Sequence, residues 1–221
     1  MDQERILKQT EKFVKEILEK EGSGHDFWHT LRVVRNAIYL AKKEGGDLFI
    51  IELAALLHDA YDHKLYDGDP TVADKKIREW LSHTGAESHI VDQICKIINE
   101  LSYKGAGVDT TPTTIEGKIV QDADRLDAIG AIGIARTFTY GGHKGKTMHD
   151  PRQKPVLHQD FEEYKKSMGT SLNHFYEKLL LLKDRMNTET AKIVAKERHQ
   201  YMEKFLEEFL KEWDGTDLLR D

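Results

Sequence analysis

A histidine–aspartate pair at the end of a strongly apolar segment is the feature that most restricts how this chain can fold. Residues 50–57 read Ile-Ile-Glu-Leu-Ala-Ala-Leu-Leu, and His58 and Asp59 follow directly. An imidazole and a carboxylate beside such an apolar run are costly to bury unless each has a polar partner. A divalent metal ion would bind both side chains at once. The pair therefore predicts a buried helix that ends at a metal site.

Apolar residues recur at helical spacing through most of the chain, whereas strand patterns are almost absent. The predicted helices cover approximately residues 6–21, 25–45, 47–59, 69–81, 90–101, 114–139 as one or two helices, 160–185 and 188–213. Asp47 is well placed to cap the third of them. The chain is therefore predicted to be all-α and to form a compact single-domain helical bundle over residues 1–221. Its metal-site core should cover about residues 20–140, and C-terminal helices at about 158–215 should complete the bundle.

The charge balance argues against a general attraction to nucleic acid. The 33 basic and 39 acidic residues leave a net charge of -6, so only a local basic patch could bind a phosphate backbone. The charged N-terminus lacks an apolar signal region, and no apolar run approaches membrane-spanning length. We therefore expect a cytoplasmic protein without stable nucleic-acid binding or membrane association.

Cys95 is the only cysteine of the chain. A single cysteine excludes an internal disulfide and a thiolate metal cage. Its apolar neighbours at helical spacing predict a buried, inert thiol, because reactive cysteines need an accessible, electropositive setting.

Two further segments offer metal ligands in similar settings. His29 lies one helical turn after His25, and Asp124 belongs to a stretch with three acids in six residues. Asp122 and Asp127 are competing ligand candidates in that stretch. Asp124 and Asp127 share a helix face, whereas Asp122 points elsewhere. Two imidazoles and two carboxylates suit Mn, Fe, Co, Ni or Zn better than Mg.

Each part of this pattern also has an ordinary structural explanation. A buried histidine is more often a satisfied core residue than a ligand. Steps of His-Asp or Asp-His recur at His25-Asp26, Asp62-His63 and His149-Asp150. The combination is more specific, because the pair at 58–59 follows an apolar helix while an upstream histidine and a downstream acid-rich segment offer the remaining ligands.

The ordered set resembles the motifs of the HD-domain family of metal-dependent phosphohydrolases. The similarity covers approximately residues 20–140 and rests on His25-Asp26-Phe27-Trp28-His29, Leu56-Leu57-His58-Asp59-Ala60 and Asp122-Ala123-Asp124-Arg125-Leu126-Asp127-Ala128. Continued over residues 129–136, the last motif resembles a small bacterial branch that includes nucleotide pyrophosphohydrolases. The resemblance implies a compact α-helical bundle of the HD-domain type. It also implies that one divalent metal ion is held by His29, His58, Asp59 and Asp124. Mn is the expected ion, with Mg, Fe, Co, Ni and Zn as alternatives.

Asp62 is the predicted catalytic residue. It follows Asp59 by three residues and His58 by four, so in a continuing helix it would lie on the same side. From there its carboxylate would orient or deprotonate the attacking water. In related HD-domain enzymes an acidic residue at this offset assists catalysis. The alternative is a solvated acid at the start of a loop over residues 62–69.

Phosphate oxygens need cations, and four side chains are predicted to bind substrate: Lys104, Arg125, Lys144 and Lys146. Arg125 is adjacent to Asp124 and would reach either the pocket rim or a nearby acid such as Asp122. Lys104 belongs to a glycine-containing loop that follows a helix. Taken singly, each of these residues is more often a surface charge.

Residues 141–147, Gly-Gly-His-Lys-Gly-Lys-Thr, end like a nucleotide-binding phosphate loop. Such a loop requires a glycine at position 140, where this chain has a tyrosine, and it requires a strand before the loop. Because the preceding segment is predicted to be helical, we interpret residues 141–155 as a mobile basic lid near the metal site.

The favoured function is a divalent-metal phosphohydrolase that acts on small-molecule nucleotides. We expect a deoxynucleoside triphosphate pyrophosphohydrolase that releases pyrophosphate and a nucleoside monophosphate. The alternatives are a 5′-nucleotidase-type phosphomonoesterase, a non-catalytic module that senses nucleotides, and an interaction protein with a structural metal. The presence of the complete ligand set together with Asp62 favours the enzyme. The C-terminal helices should complete the core and could contact a second subunit in a homodimer.

Overall fold

Helices form the regular structure of this protein. The computed structural model describes residues 2–19, 24–61, 70–101, 108–157 and 169–219. In chain order the α-helices are α1 (Gln3–Leu18), α2 (Phe27–Glu44), α3 (Leu48–Leu57), α4 (Pro70–Thr84), α5 (Ser88–Glu100), α6 (Ile115–Asp127), α7 (Gly130–His143), α8 (Ser171–Glu177) and α9 (Glu189–Asp214). Two 3-10 helices, Leu179–Arg185 and Thr216–Leu218, flank α9. The described ranges contain no strand, so the all-α prediction is confirmed. Among the described helices, none combines the length and apolar character needed to cross a membrane.

Polar N-caps determine where several helices begin. The side chain of Asp47 accepts hydrogen bonds from the backbone N–H groups of Phe49 and Ile50 at the start of α3, as predicted. Thr114 and Thr188 cap α6 and α9 in the same way. Each side-chain oxygen satisfies a backbone donor that lacks a partner within its own helix. These helix starts therefore follow from local sequence.

The predicted helical segment over residues 114–139 is divided into two helices, one of the two alternatives that the sequence allowed. Gly130, the first residue of α7, has a φ of +76°, which L side chains rarely adopt. A Cβ at this position would also lie 3.0 Å from the side chain of Arg198. A glycine is therefore needed where the chain leaves α6 and begins α7.

The prediction of one long helix over residues 160–185 is wrong for the described part of that segment. α8 begins only after its N-cap Thr170, and it ends before Lys178, whose φ of -142° and ψ of -58° are not helical. A 3-10 helix follows. Its buried residues Leu179 and Leu182 are three positions apart, which matches the three residues per turn of a 3-10 helix.

α3 occupies the centre of the bundle. Eight of its ten residues are buried, and it packs against α1, α2, α5 and α6. A helix that is apolar on nearly all sides is stable only when other elements surround it. His58 and Asp59 follow its last turn, with side chains that are 3% and 14% exposed.

The C-terminal helix α9 is joined to this core by packing and by hydrogen bonds. It contacts α2, α6 and α7. Asp122 on α6 accepts hydrogen bonds from the backbone N–H groups of Asn187 and Thr188 and from the Thr188 hydroxyl. Glu44 at the end of α2 accepts one from the backbone N–H of Thr190. These contacts attach the start of α9 to two helices that carry candidate metal ligands.

Cys95 lies on α5 and is buried, as predicted. Burial raises the pKa of its thiol to about 12. The thiol is therefore protonated at neutral pH, and a protonated thiol is a poor nucleophile.

Candidate metal centre

Three helices bring the candidate ligands together. α2 packs against both α3 and α6. His29 lies in the first turn of α2, where its backbone N–H donates to the capping side chain of Asp26. His58 and Asp59 directly follow α3, and Asp124 lies in the last turn of α6. Packing between distant parts of the chain therefore assembles the site.

The donor atoms of these four side chains converge. His29 Nε2 is 3.2 Å from both His58 Nε2 and Asp59 Oδ2, and it is 3.5 Å from Asp124 Oδ1. His58 Nε2 is 3.5 Å from Asp59 Oδ2 and 3.9 Å from Asp124 Oδ1. Two ligands at about 2.1 Å from one ion lie about 3.0 Å apart at right angles and about 3.4 Å apart at the tetrahedral angle. The observed spacing fits a single divalent ion.

Hydrogen bonds to the outer nitrogens orient both imidazoles toward this point. His58 Nδ1 lies 2.8 Å from the backbone carbonyl of Ala55, which can only accept, so Nδ1 carries the proton. His29 Nδ1 lies 2.7 Å from a carboxylate oxygen of Asp127 and is assigned as a donor for the same reason. The neutral forms of both rings then direct Nε2 lone pairs at each other across 3.2 Å. A cation between them would replace this repulsion with two coordinate bonds.

Asp127, one of the competing ligand candidates, contacts the outer side of His29. Its carboxylate also accepts hydrogen bonds from Arg32 Nε at 2.7 Å and from Arg136 Nη1 at 3.1 Å. Burial acts to raise the pKa of Asp127, but the hydrogen bonds from His29 and Arg32 outweigh it and hold the pKa well below its ordinary value. Asp127 is thus an ionised partner of the candidate ligand His29. Asp124 and Asp127 do share a helix face, since both contact the same imidazole.

Asp122, the other competing candidate, points away from the histidines. Its two carboxylate oxygens are used by Asn187 and Thr188, which precede α9. Among the three acids of this stretch, Asp124 is the one whose carboxylate faces Nε2 of both histidines.

The ionisation of the site suits cation binding. Burial acts to raise the pKa of Asp59, but the charges of His58 and His25 and the hydrogen bonds from His25 and His29 hold it well below its ordinary value. For His29, burial acts to lower the pKa, while the hydrogen bonds to Asp127 and Asp59 raise it to about 8. Metal binding at such a site requires ionised carboxylates and neutral imidazoles, so it would release any proton held by the histidines.

The exposure of the four side chains shows from which side a substrate can approach. His29 and His58 are 0% and 3% exposed, whereas Asp59 is 14% and Asp124 is 37% exposed. The site is therefore closed behind the histidines and open beside Asp124. A phosphate group would reach the centre from that open side.

Sequence reasoning assigned no role to three residues that contact this centre. His25 Nδ1 is 2.7 Å from Asp59 Oδ2, and Arg32 and Arg136 bind Asp127. The spacing of Arg32 from His29, three residues along one helical face, was an available signal. His25 precedes α2, so helical spacing in the folded protein does not account for its contact. The contact with Arg136 depends on how α7 packs and has no local signal.

Two of the four predicted substrate cations lie near the start of the segment over residues 141–155. The ammonium of Lys144 is 5.8 Å from the centre of the Tyr140 ring. That ring lies edge-on to His25, with ring centres 6.5 Å apart. Burial, together with the charges of Lys178 and Lys146, lowers the pKa of His174 to about 3. The helix before this segment, α7, continues to His143, which agrees with the rejection of a nucleotide-binding phosphate loop.

Of the remaining predicted site residues, the structure describes Arg125 but not Asp62 or Lys104. The guanidinium of Arg125 donates to the backbone carbonyl of Arg185 and to the Thr110 hydroxyl, the latter at 3.0 Å. The first contact ties α6 to the segment before α9, and the second ties it to the segment before α6. Substrate binding by Arg125 stays a prediction. Asp62 and Lys104 lie outside the described residues, so their proposed roles also stay predictions.

The fold and the site define a class: an all-α protein with a two-histidine, two-aspartate centre between packed helices. The family model of the HD domain matches residues 27–129, a range that contains the four candidate ligands. The chain belongs to the HD-domain family of metal-dependent phosphohydrolases.

Relatives resemble the chain over nearly its whole length. The uncharacterized protein YpgQ of Bacillus subtilis is 41% identical over 215 residues, which cover 96% of this chain and 97% of YpgQ. A crystal structure from Lactobacillus plantarum matches with a TM-score of 0.86 and 39% identity, covering 97% of this chain and 100% of the other. An HD-superfamily hydrolase of Bacillus thuringiensis matches with a TM-score of 0.73 and 48% identity, covering 96% and 98%. The crystal structure of YpgQ in complex with ADP matches with a TM-score of 0.73 and 37% identity, covering 93% and 97%.

Proposed function

We propose that this phosphohydrolase cleaves deoxynucleoside triphosphates to pyrophosphate and a nucleoside monophosphate. The convergence of two Nε2 atoms and two aspartate oxygens carries the hydrolytic part of the proposal. The nucleotide part is supported by the similarity to YpgQ, whose crystal structure contains ADP. The geometry of the donor atoms therefore supports hydrolysis, whereas the charge of a triphosphate supports the choice of the bond that breaks.

Four residues would hold the metal: His29, His58, Asp59 and Asp124. Mn²⁺ is the proposed ion, and a mixed nitrogen and oxygen ligand set also accepts Fe, Co, Ni or Zn and less readily Mg. When bound, such an ion lowers the pKa of water and neutralises charge on a phosphate oxygen.

The protein's own groups would orient the reactants. Asp127 and the Ala55 carbonyl keep both imidazoles turned toward the centre. The open side beside Asp124 would admit the substrate's phosphate chain. We propose that Asp62 orients or deprotonates the attacking water, the role that an acid three residues after Asp59 would have if the turn remains helical.

Charge favours pyrophosphate as the leaving group. Two carboxylate ligands offset the double charge of the ion, so a triphosphate chain needs further cations. Lys144 is one candidate, because its ammonium lies over Tyr140, Tyr140 contacts His25, and His25 binds Asp59. Lys104, Arg125 and Lys146 are the other proposed cations. If these groups bind the β- and γ-phosphates, the α-phosphate faces the metal centre, and water attack there releases pyrophosphate.

The test is the identity of the products. The purified protein is stripped of metal, reloaded with Mn²⁺ and incubated with dATP, and the products are separated by chromatography. We expect dAMP and pyrophosphate in equal amounts. Formation of dADP would contradict the proposal, and so would deoxyadenosine made from added dAMP while dATP stays intact. Tight dATP binding without turnover under Mn, Mg, Co and Ni would instead favour the nucleotide-sensing alternative.

The role of Lys144 can be tested in the same assay. Lys144→Gln should raise the KM for dATP about fivefold, the effect of losing roughly 1 kcal/mol from one partly solvated charge contact. Lys154→Gln, at another exposed lysine of the same segment, is the matched control and should leave the KM unchanged. Equal KM values for both variants would remove Lys144 from the substrate site.

A further inference from the structure

The three residues before α2 are each attached to a different part of the metal centre. The carbonyl of Gly24 accepts a hydrogen bond of 2.9 Å from Arg136 Nε. The side chain of Asp26 caps α2 by accepting from the backbone N–H of His29. Between them, His25 Nδ1 lies 2.7 Å from Asp59 Oδ2. The backbone on both sides of His25 is therefore anchored, and its ring position is determined by the fold.

The atom that His25 contacts is the one that faces the metal position. Asp59 Oδ2 is 3.2 Å from His29 Nε2 and 3.5 Å from His58 Nε2. A carboxylate can rotate about its Cβ–Cγ bond and exchange its two oxygens, so a partner on one oxygen restricts this motion. His25 contacts that oxygen directly, at 2.7 Å from its Nδ1.

The ring of His25 is also restrained by its neighbours. It lies edge-on to His29 at an interplanar angle of 81° and edge-on to Tyr140 at 78°. With its Nδ1 directed at Asp59, a ring in this position cannot turn Nε2 toward the same carboxylate without losing these contacts. The side chain of His25 is 30% exposed, so it borders the open side of the centre.

We propose that His25 is a positioning residue for Asp59. Its Nδ1–H donates a hydrogen bond to Asp59 Oδ2 and holds that oxygen toward His29 and His58, so that the aspartate is pre-oriented for the metal. Hydrogen-bond partners of metal ligands raise affinity by about 10- to 100-fold in general, and His25 would have this role for Asp59. The inference rests on the proposed metal site.

Two amide substitutions distinguish which ring nitrogen matters. In His25→Asn the side-chain amide nitrogen can replace Nδ1, whereas in His25→Gln it replaces Nε2. Mn²⁺ affinity of the metal-stripped protein is measured by isothermal titration calorimetry for the parent, both amide variants and His25→Ala. We expect the dissociation constant to rise about tenfold or more in His25→Ala and His25→Gln, and to stay within about threefold of the parent in His25→Asn.

Several results would overturn the assignment. Equal affinity in all four proteins would show that His25 has no role in metal binding. Retained affinity in His25→Gln with loss in His25→Asn would show that Nε2 is the active atom. Equal losses in all three variants would also contradict a role for the Nδ1 hydrogen bond. His89→Gln, at a histidine whose side chain is 65% exposed, is the control and should bind as the parent does.

A measurement on the unmodified protein keeps the inference testable if a variant unfolds. Nitrogen-15 spectra of the histidine rings, recorded with Zn²⁺, report which nitrogen carries the proton. We expect the proton of His25 on Nδ1; a proton on Nε2 with a bare Nδ1 would overturn the proposal. A parent protein that binds neither Mn²⁺ nor Zn²⁺ would refute the metal site itself, which is a different result from a parent that binds while the variants do not differ.

Discussion

Replacing Asp127 with asparagine tests how the outer partner of a ligand supports the metal centre. The carboxylate is 3% exposed and accepts hydrogen bonds from His29, Arg32 and Arg136. Asparagine keeps the shape but removes the charge, and its NH₂ group would face donors. Removing one partner of a buried ion pair costs about 3–5 kcal/mol. We expect about 3 kcal/mol here, because Arg32 and Arg136 are 29% and 16% exposed and partly reach water.

Two measurements report this change. For a chain of this size, about 3 kcal/mol corresponds to a Tm roughly 6–12 °C lower, measured on the metal-free protein by calorimetry. The dissociation constant for Mn²⁺ should rise about 10- to 100-fold, because His29 loses the acceptor that orients it. The matched control is Asp92→Asn, which removes a surface ion pair with Arg78 whose acid is 69% exposed and should change neither quantity measurably.

The pH dependence has a definite sign. The pKa of Asp127 lies well below its ordinary value, so its contribution to stability is complete above the unfolded pKa of about 4 and is lost as pH falls through the folded value. For the metal-free protein, the stability difference between parent and Asp127→Asn should grow as pH falls from about 8 to about 6, because Asp127 helps to raise the pKa of His29 to about 8. The difference should shrink in strong acid, where Asp127 itself becomes protonated. A variant that matches the parent in Tm at pH 7 and in Mn²⁺ affinity would refute the assigned role of Asp127.

Three further substitutions test a proposed metal ligand, the proposed catalytic acid and a buried histidine. His58→Ala should abolish metal retention and activity while most helix content remains, because no outer residue can replace a missing ligand; equal metal content in elemental analysis of variant and parent would refute its place in the ligand set. Asp62→Asn should retain the metal but lower turnover by about 10²-fold or more if the acid acts as a general base, and turnover within about twofold of the parent would make it an ordinary loop residue. Burial, with the charges of Lys178 and Lys146, lowers the pKa of His174 to about 3, so the folded state disfavours its protonated form and stability should fall as pH drops below the unfolded pKa of about 6.5. Denaturant titrations at pH 7 and 5 should show this loss in the parent and a smaller one in His174→Gln, and identical losses would contradict the burial argument.

The sequence by itself determined the fold class and much of the helix layout. Helical spacing and polar caps depend on neighbouring residues, which is why the cap at Asp47 could be predicted. The same local logic indicated His58 and Asp59 as candidate ligands, because a polar pair after an almost fully apolar helix must have partners. For the described residues 169–185 the predicted long helix was wrong, because α8 and a 3-10 helix occupy this part of the chain. There the leucine spacing fits both helix types, and packing decides between them.

Only the tertiary structure separated the three acids of α6. Spacing placed Asp124 and Asp127 on one face, but it could not show which acid faces the inner nitrogen of His29 and which faces the outer nitrogen. The choice depends on how α6 docks on α2. The contact of His25 with Asp59 likewise joins residues 34 positions apart. Distances of this kind depend on the packing of helices that are remote in sequence, and periodicity, which reports only one helix at a time, contains no information about them.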